Sequence, residues 1–161
     1  MTTSPLVADP QIRRDGGAER TVVHVAVGVL IRQDGSFLLT SRPSGKVYAG
    51  YWEFPGGKLE AGESVEQALK RELCEELGIE IAAAQLWKTE MVDYPHALVC
   101  LHFCKVEQWS GSLQMREQQS FSWAQLPVQV APILAGTVPV LQWLAQERGY
   151  VNATLFIADN A

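Results

Sequence analysis

Cysteine is scarce. The 161 residues include only Cys74, Cys100 and Cys104, an odd number without a Cys-x-x-Cys pair, which excludes an even disulfide framework and fits a reducing cytoplasm. Basic charge is also short: 13 Lys and Arg stand against 18 Asp and Glu, a net charge of −5. A nucleic-acid polymer is gripped by basic surface, so this balance argues against one as partner. No stretch reaches the ~20 apolar residues a membrane-spanning helix requires. The run Val22 to Ile31, interrupted by His24, is about half that length and reads as a buried strand. Met1 to Arg20 holds prolines, charges and glycines without the apolar core of a secretory signal, and reads as a loose arm over residues 1–20.

What is present suits one compact unit. With 47% hydrophobic residues, a chain of this length builds one sizeable core and hardly two. Val22–Ile31 and Phe37–Ser41 are β-rich runs on either side of Asp34-Gly35, a hairpin signal. Further β-rich pieces cover Ile79–Leu86, Lys88–Val92, Ala97–Val106 and Ser120–Trp123, with a turn at Ser110-Gly111. A last helix is expected from a cap at Thr137 to Arg148, stopped by Gly149. Strands interrupted by helices in this order give an α/β layered domain over residues 21–149. Residues 150–161 follow as a β-prone extension, expected to add an edge strand, to contact a second subunit in a homodimer, or simply to cover the core.

The most informative segment runs from Gly57 to Ile79. On a helix of 3.6 residues per turn, Val65, Ala68, Leu69, Leu73 and Leu77 define an apolar side, and Glu76 falls among them. Glu72 shares that face, Glu75 lies at its edge and Glu63 just precedes the helix. A carboxylate turned toward a core costs several kcal/mol unless a cation meets it. Either a divalent ion or Arg71, an i,i+4 neighbour of Glu75, can be that partner. The alternative is an ordinary surface helix with a few charge pairs. The glycines favour the first reading: Gly56-Gly57 permits a sharp bend beside the helix, with a carbonyl able to ligate the same ion. Ser64 and Gln67 have capping-box spacing. Hard oxygen donors without His or Cys suit magnesium or manganese better than zinc.

The spacing of Gly57, Glu63, Arg71, Glu72, Leu73, Glu75, Glu76, Gly78 and Ile79 resembles the Nudix box, filling its nine fixed positions across 23 residues. Similarity extends from about Val22 to about Leu144. It looks closest to the MutT-type branch that includes 8-oxo-dGTP diphosphatases and CTP pyrophosphohydrolases, through Val25-Ala26-Val27-Gly28, Ser41-Arg42-Pro43, Trp52 to Lys58, Glu117-Gln118 and Trp123. The resemblance implies a mixed-sheet α/β/α sandwich and Mg2+-dependent hydrolysis (Mn2+ as substitute) of a nucleoside triphosphate to monophosphate and pyrophosphate. It implies a small-molecule nucleotide partner and no membrane.

On that resemblance, Glu72, Glu75, Glu76 and the Gly56 carbonyl form the metal set, Arg71 orients, and Glu63 braces the motif with Gly57 and Gly78 as structural glycines. Glu117 joins the metal or activates water, against the alternative of a solvated loop glutamate. Arg42, Glu53 and Phe54 line up with positions near the nucleotide, and Lys58 touches phosphate or solvent. Arg42 contacts phosphate or base unless it merely ends a strand in solvent. Phe54 walls a base slot or belongs to the core. Two departures bear on substrate. Val47 stands where the 8-oxo-guanine-specific subgroup can have histidine, and Thr137 stands where an Asn or Asp would read the base. A threonine hydroxyl lacks the two-pronged amide contact, so a pyrimidine triphosphate such as CTP is a rival. Pro95, 16 residues after Ile79, resembles the mark of ADP-ribose pyrophosphatases but reads equally as a turn. A non-catalytic nucleotide-sensing Nudix module would typically have lost box carboxylates, and this chain keeps them all.

Cys100, His102 and Cys104 alternate along one strand and spread over about 13 Å, so one metal cannot take all three. They read as core and near-core residues. His24 and His96 have no partner identifiable from sequence.

Overall fold

The computed structural model describes residues 4–14 and 20–154. Its strands are β1 (Leu6–Val7), β2 (Val22–Leu30), β3 (Phe37–Ser41), β4 (Trp52–Glu53), β5 (Gly56–Lys58), β6 (Glu80–Ile81), β7 (Gln85–Asp93), β8 (Leu98–Val106), β9 (Trp109–Ser110) and β10 (Phe121–Ala124). Two α-helices, α1 (Val65–Leu77) and α2 (Val138–Arg148), and a short 3-10 turn at Ala135–Thr137 complete the architecture among the described residues. The main sheet has the order β1-β7-β8-β2-β5. It is mixed: β2 runs parallel to β8, while β2 with β5 and β7 with β8 are antiparallel.

The central pair explains the sandwich. Successive side chains of a strand point to opposite faces, so Ala26 and Leu30 join Cys104 under α1, against Ala68, Leu69, Leu73 and Leu77. Val27 and Val29 join Phe103 on the other side, against Val140, Leu141 and Leu144 of α2. Leu69, Leu73 and Leu77 are fully buried, each contributing about 1.5–3 kcal/mol of transfer free energy. The fold is therefore the expected α/β/α sandwich.

The ends of α1 are built locally. Ser64 accepts from the Gln67 N–H and the Gln67 side chain accepts from the Ser64 N–H, closing the capping box. At the other end Gly78 takes a left-handed conformation (φ 69°) and donates to the Cys74 carbonyl, a position that favours glycine.

Several expectations are corrected. β2 and β3 do not form a lasting hairpin. After the turn at Asp34-Gly35 they share one bridge, Ile31 with Phe37, and β3 then joins a separate three-stranded sheet with β10 and β4. The expected strand Ile79–Leu86 is divided: Glu80–Ile81 form β6, which pairs with β9, and only Gln85–Leu86 join the piece after Trp87 in β7, with an irregularity between Leu86 and Lys88. Residues 6–8 are not a loose arm, because β1 pairs with β7 and Ala8 is buried. Residues 1–3 and 15–19 of that arm lie outside the described residues. Thr137 precedes α2, but its side chain makes no capping bond. Of the terminal extension, Thr154 bridges Val128, and residues 155–161 lie outside the described residues. No described helix is long and apolar enough to cross a membrane.

Candidate active site

The site begins at β5. Gly28 donates to the Pro55 carbonyl and Leu59 to the His24 carbonyl, so the alternation of an antiparallel ladder turns the carbonyls of Gly56 and Lys58 toward the free edge of the sheet. The Lys58 carbonyl accepts there from Arg71 Nη2 at 3.0 Å. The adjacent Gly57 faces α1, and a Cβ placed on it would lie 2.1 Å from the Glu72 carboxyl carbon. Only glycine lets that carboxylate approach the strand.

Arg71 is the hub of the acidic cluster. It donates to both oxygens of Glu63 at 2.8 Å, to Glu72 at 2.9 Å and to Glu75 at 3.2 Å. Glu63 also accepts from the Glu60 backbone at 2.7 Å, and these bonds hold its carboxyl down at about 2. Paired with several carboxylates, the guanidinium stays charged and fixes orientation rather than exchanging protons.

Glu76 is different. Burial, then the charges of Glu117 and Glu72, push its carboxyl up to about 8, with Lys46 alone among the named neighbours opposing them. A carboxylate so placed is stabilised only by added positive charge. Glu53, at the end of β4, is likewise raised by burial, although Arg42 Nη1 holds it at 2.8 Å.

Glu117 comes from a long loop, yet that loop is pinned to the C-terminal end of α1. Gln114 donates to the Leu77 carbonyl, and Arg116 donates through its backbone to Glu76 and through Nη1 to Cys74. The Leu77 and Glu76 carbonyls are ones a helix end leaves unpaired, and the Cys74 carbonyl, already bonded by Gly78, accepts a second bond. Glu117 is thereby held near Glu76 and Lys46, with Lys46 Nζ at 3.9 Å.

These groups border a cavity of about 670 Å³, large enough for a nucleotide. The structure brings Gly56, Glu72, Glu76 and Glu117 to its wall, along with Arg42, Glu53, Phe54, Lys58 and Thr137. Glu75 is not among the residues that line the cavity; its side chain is 59% exposed and is held by Arg71 at 3.2 Å. Phe54 serves both readings: buried against Phe37 in the core, it also presents to the cavity. Arg42 is engaged by Glu53 and by the Val47 carbonyl at 2.6 Å, so it does not simply end a strand in solvent. Sequence reasoning missed Tyr48, Tyr94, His96, Gln119 and Lys46, all of which line the cavity. They come from loops and strand ends with no fixed spacing to the box. Buried Gln119, which accepts from the Glu117 N–H at 3.0 Å, carried no signal beyond its place after Glu117.

The donor set fits a hard divalent cation. It combines clustered carboxylates, one of them destabilised by burial, with a backbone carbonyl on an open strand edge, all hard oxygen donors.

Comparison with known proteins decides the family. The model of the NUDIX domain matches residues 22–144. The chain belongs to the Nudix family. It is 39% identical over 107 residues to an 8-oxo-dGTP diphosphatase of Haemophilus influenzae, covering 66% of this chain and 79% of that protein. It is 37% identical over 117 residues to a CTP pyrophosphohydrolase of Escherichia coli, covering 72% and 87%. Among solved structures, one from a study of MutT from Aliivibrio salmonicida and Vibrio cholerae superimposes with a TM-score of 0.65 at 31% identity, covering 79% of this chain and 99% of that one. The Nudix chain is therefore a hydrolase, of a family that generally uses divalent metal ions.

Proposed function

We propose that this Nudix chain hydrolyses a nucleoside triphosphate to a nucleoside monophosphate and pyrophosphate with magnesium, clearing 8-oxo-dGTP or a related damaged nucleotide from the pool. The single observation that carries this reading is the convergence of Glu72, Glu76 and Glu117 at the wall of a nucleotide-sized cavity, where burial and then the charges of Glu117 and Glu72 raise Glu76 to about 8. Gly56, Glu72, Glu76 and Glu117 would hold magnesium, which supplies positive charge to the phosphate oxygens, and Glu75 would join them only by turning in from its exposed position beside Arg71. Arg71 keeps Glu72 and Glu75 oriented through its bond to Glu63. Phe54 walls the base, Arg42 is aimed by Glu53, and Lys58 meets phosphate. Glu117 orients the attacking water or helps hold the ion.

A second reading has its own support. Thr137 lines the cavity with a hydroxyl and Val47 is 50% exposed, so neither supplies an amide or imidazole to an oxidised purine. With the similarity to a CTP pyrophosphohydrolase, this favours a pyrimidine triphosphate. ADP-ribose has less support: Pro95 sits in a tight turn where Tyr94 and Ala97 exchange backbone hydrogen bonds. Product analysis on a panel of 8-oxo-dGTP, dGTP, CTP, dCTP and ADP-ribose tests the proposal. Release of monophosphate and pyrophosphate supports it, and release of two monophosphates from ADP-ribose alone refutes it.

A further inference from the structure

The central pair of strands carries a second set of donors. β2 and β8 are parallel, with His24 opposite Cys100 and Ala26 opposite His102. Odd-numbered residues of both strands, including Val25 and Leu101, line the nucleotide cavity, so the even-numbered ones face the other side of the sheet. Farther along that row, Ala26 and Cys104 are covered by α1. The cover runs out at His24, which is exposed, while Cys100 is buried and His102 half-buried. His24 Nδ1 lies 3.0 Å from His102 Nε2, the rings stack at 5.2 Å, and the donor atoms of His24, Cys100 and His102 all lie within 4.8 Å of one another. The row Cys100, His102, Cys104 could not close on one ion. The structure replaces distant Cys104 with His24 from the neighbouring strand.

We propose that His24, Cys100 and His102 form a binding site for one zinc-type divalent ion on the face of the sheet opposite the nucleotide cavity. Tetrahedral zinc with Zn–N near 2.0–2.1 Å and Zn–S near 2.3 Å places its donors about 3.3–3.5 Å apart. The two imidazoles are already close to that separation at 3.0 Å, and the thiol, within 4.8 Å of both, is brought in by side-chain rotation. Two imidazoles and a thiol without a carboxylate select against magnesium and calcium. This separates the site chemically from the acidic cluster. Burial and neighbouring His24 favour neutral His102, the form that offers a lone pair. On binding, the Cys100 thiol gives its proton to solvent, and the proton between the imidazoles is held instead on a ring nitrogen turned away from the ion. Water completes the fourth position beside exposed His24. The ion would tie β2 to β8 across the middle of the sheet.

Zinc titration by calorimetry tests this on the full chain. The background carries Cys74→Ser to remove the exposed thiol, and magnesium is in excess to occupy the acidic cluster. The expected result is one equivalent of zinc, with affinity lowered about tenfold or more by Cys100→Ser and by His24→Ala and unchanged by Glu76→Gln. Cobalt(II) should give tetrahedral ligand-field bands and a thiolate charge-transfer band that Cys100→Ser removes. His24 is exposed, so His24→Ala decides alone if Cys100→Ser fails to fold. Absence of zinc binding, binding that survives His24→Ala, or binding lost in Glu76→Gln would overturn the proposal.

Discussion

Gly57 and Glu72 occupy one space between them: a single methyl on Gly57 would lie 2.1 Å from the carboxyl carbon of Glu72. Gly57→Ala should therefore displace Glu72 without touching the cavity's aromatic wall. The expected loss in kcat is about 10–100-fold, with the melting temperature little changed. Steady-state kinetics on the preferred nucleotide would show it.

Arg116 should matter as much as a residue inside the box. It bonds the carbonyls of Cys74 and Glu76 and holds the segment that carries Glu117. Arg116→Ala is expected to lower kcat while leaving Glu117 in the sequence, and to destabilise by about 1 kcal/mol through the lost hydrogen bond. Urea unfolding and kinetics together check both effects.

The acid limb of stability should report Glu63. Its folded carboxyl is held at about 2 by Arg71 and by the Glu60 backbone, below the ordinary value of 4.5. A depressed carboxylate stabilises the fold above its unfolded value, and that contribution is lost as pH falls toward 2. Wild type should thus exceed Glu63→Gln in melting temperature at pH 7, with the gap closing between about pH 4.5 and 2. A gap independent of pH would contradict the ion pair.

Glu76 should show the opposite sign. Its carboxyl is raised to about 8 from 4.5, so the metal-free fold loses stability as pH rises from about 4.5 to 8, where the unfolded chain ionises first. Glu76→Gln should melt higher than wild type at pH 8 without metal, and magnesium should stabilise wild type more than the variant.

Residues with fixed spacing were legible in the sequence, and residues gathered by the fold were not. The capping box, the Gly78 stop and the Glu76 anomaly all follow from one helical period, and α1 forms as read. Where tertiary pairing decides, the reading faltered. Asp34-Gly35 does mark a turn, but β3 joins another sheet because β2 is already paired on both sides, by β8 and β5. Residues 6–8 read as part of a loose arm until β7 offers them an edge. His24 and His102 are 78 positions apart, and only the parallel register of β2 and β8 makes them neighbours.

Substrate preference should move with Thr137. The side chain is buried at the cavity wall, and an amide there could make the paired contact that a hydroxyl cannot. Thr137→Asn is expected to raise the ratio of kcat/KM for 8-oxo-dGTP over that for CTP by about tenfold, a shift of about 1.4 kcal/mol. An unchanged ratio would remove Thr137 from the specificity set.

The most direct measurement compares wild type with Glu76→Gln in magnesium-dependent hydrolysis of the nucleotide panel, with products identified. Wild type should release nucleoside monophosphate and pyrophosphate, and the variant should lose at least about 10²-fold in activity. Full activity in Glu76→Gln, or no turnover of any panel member by wild type, would contradict the proposed function.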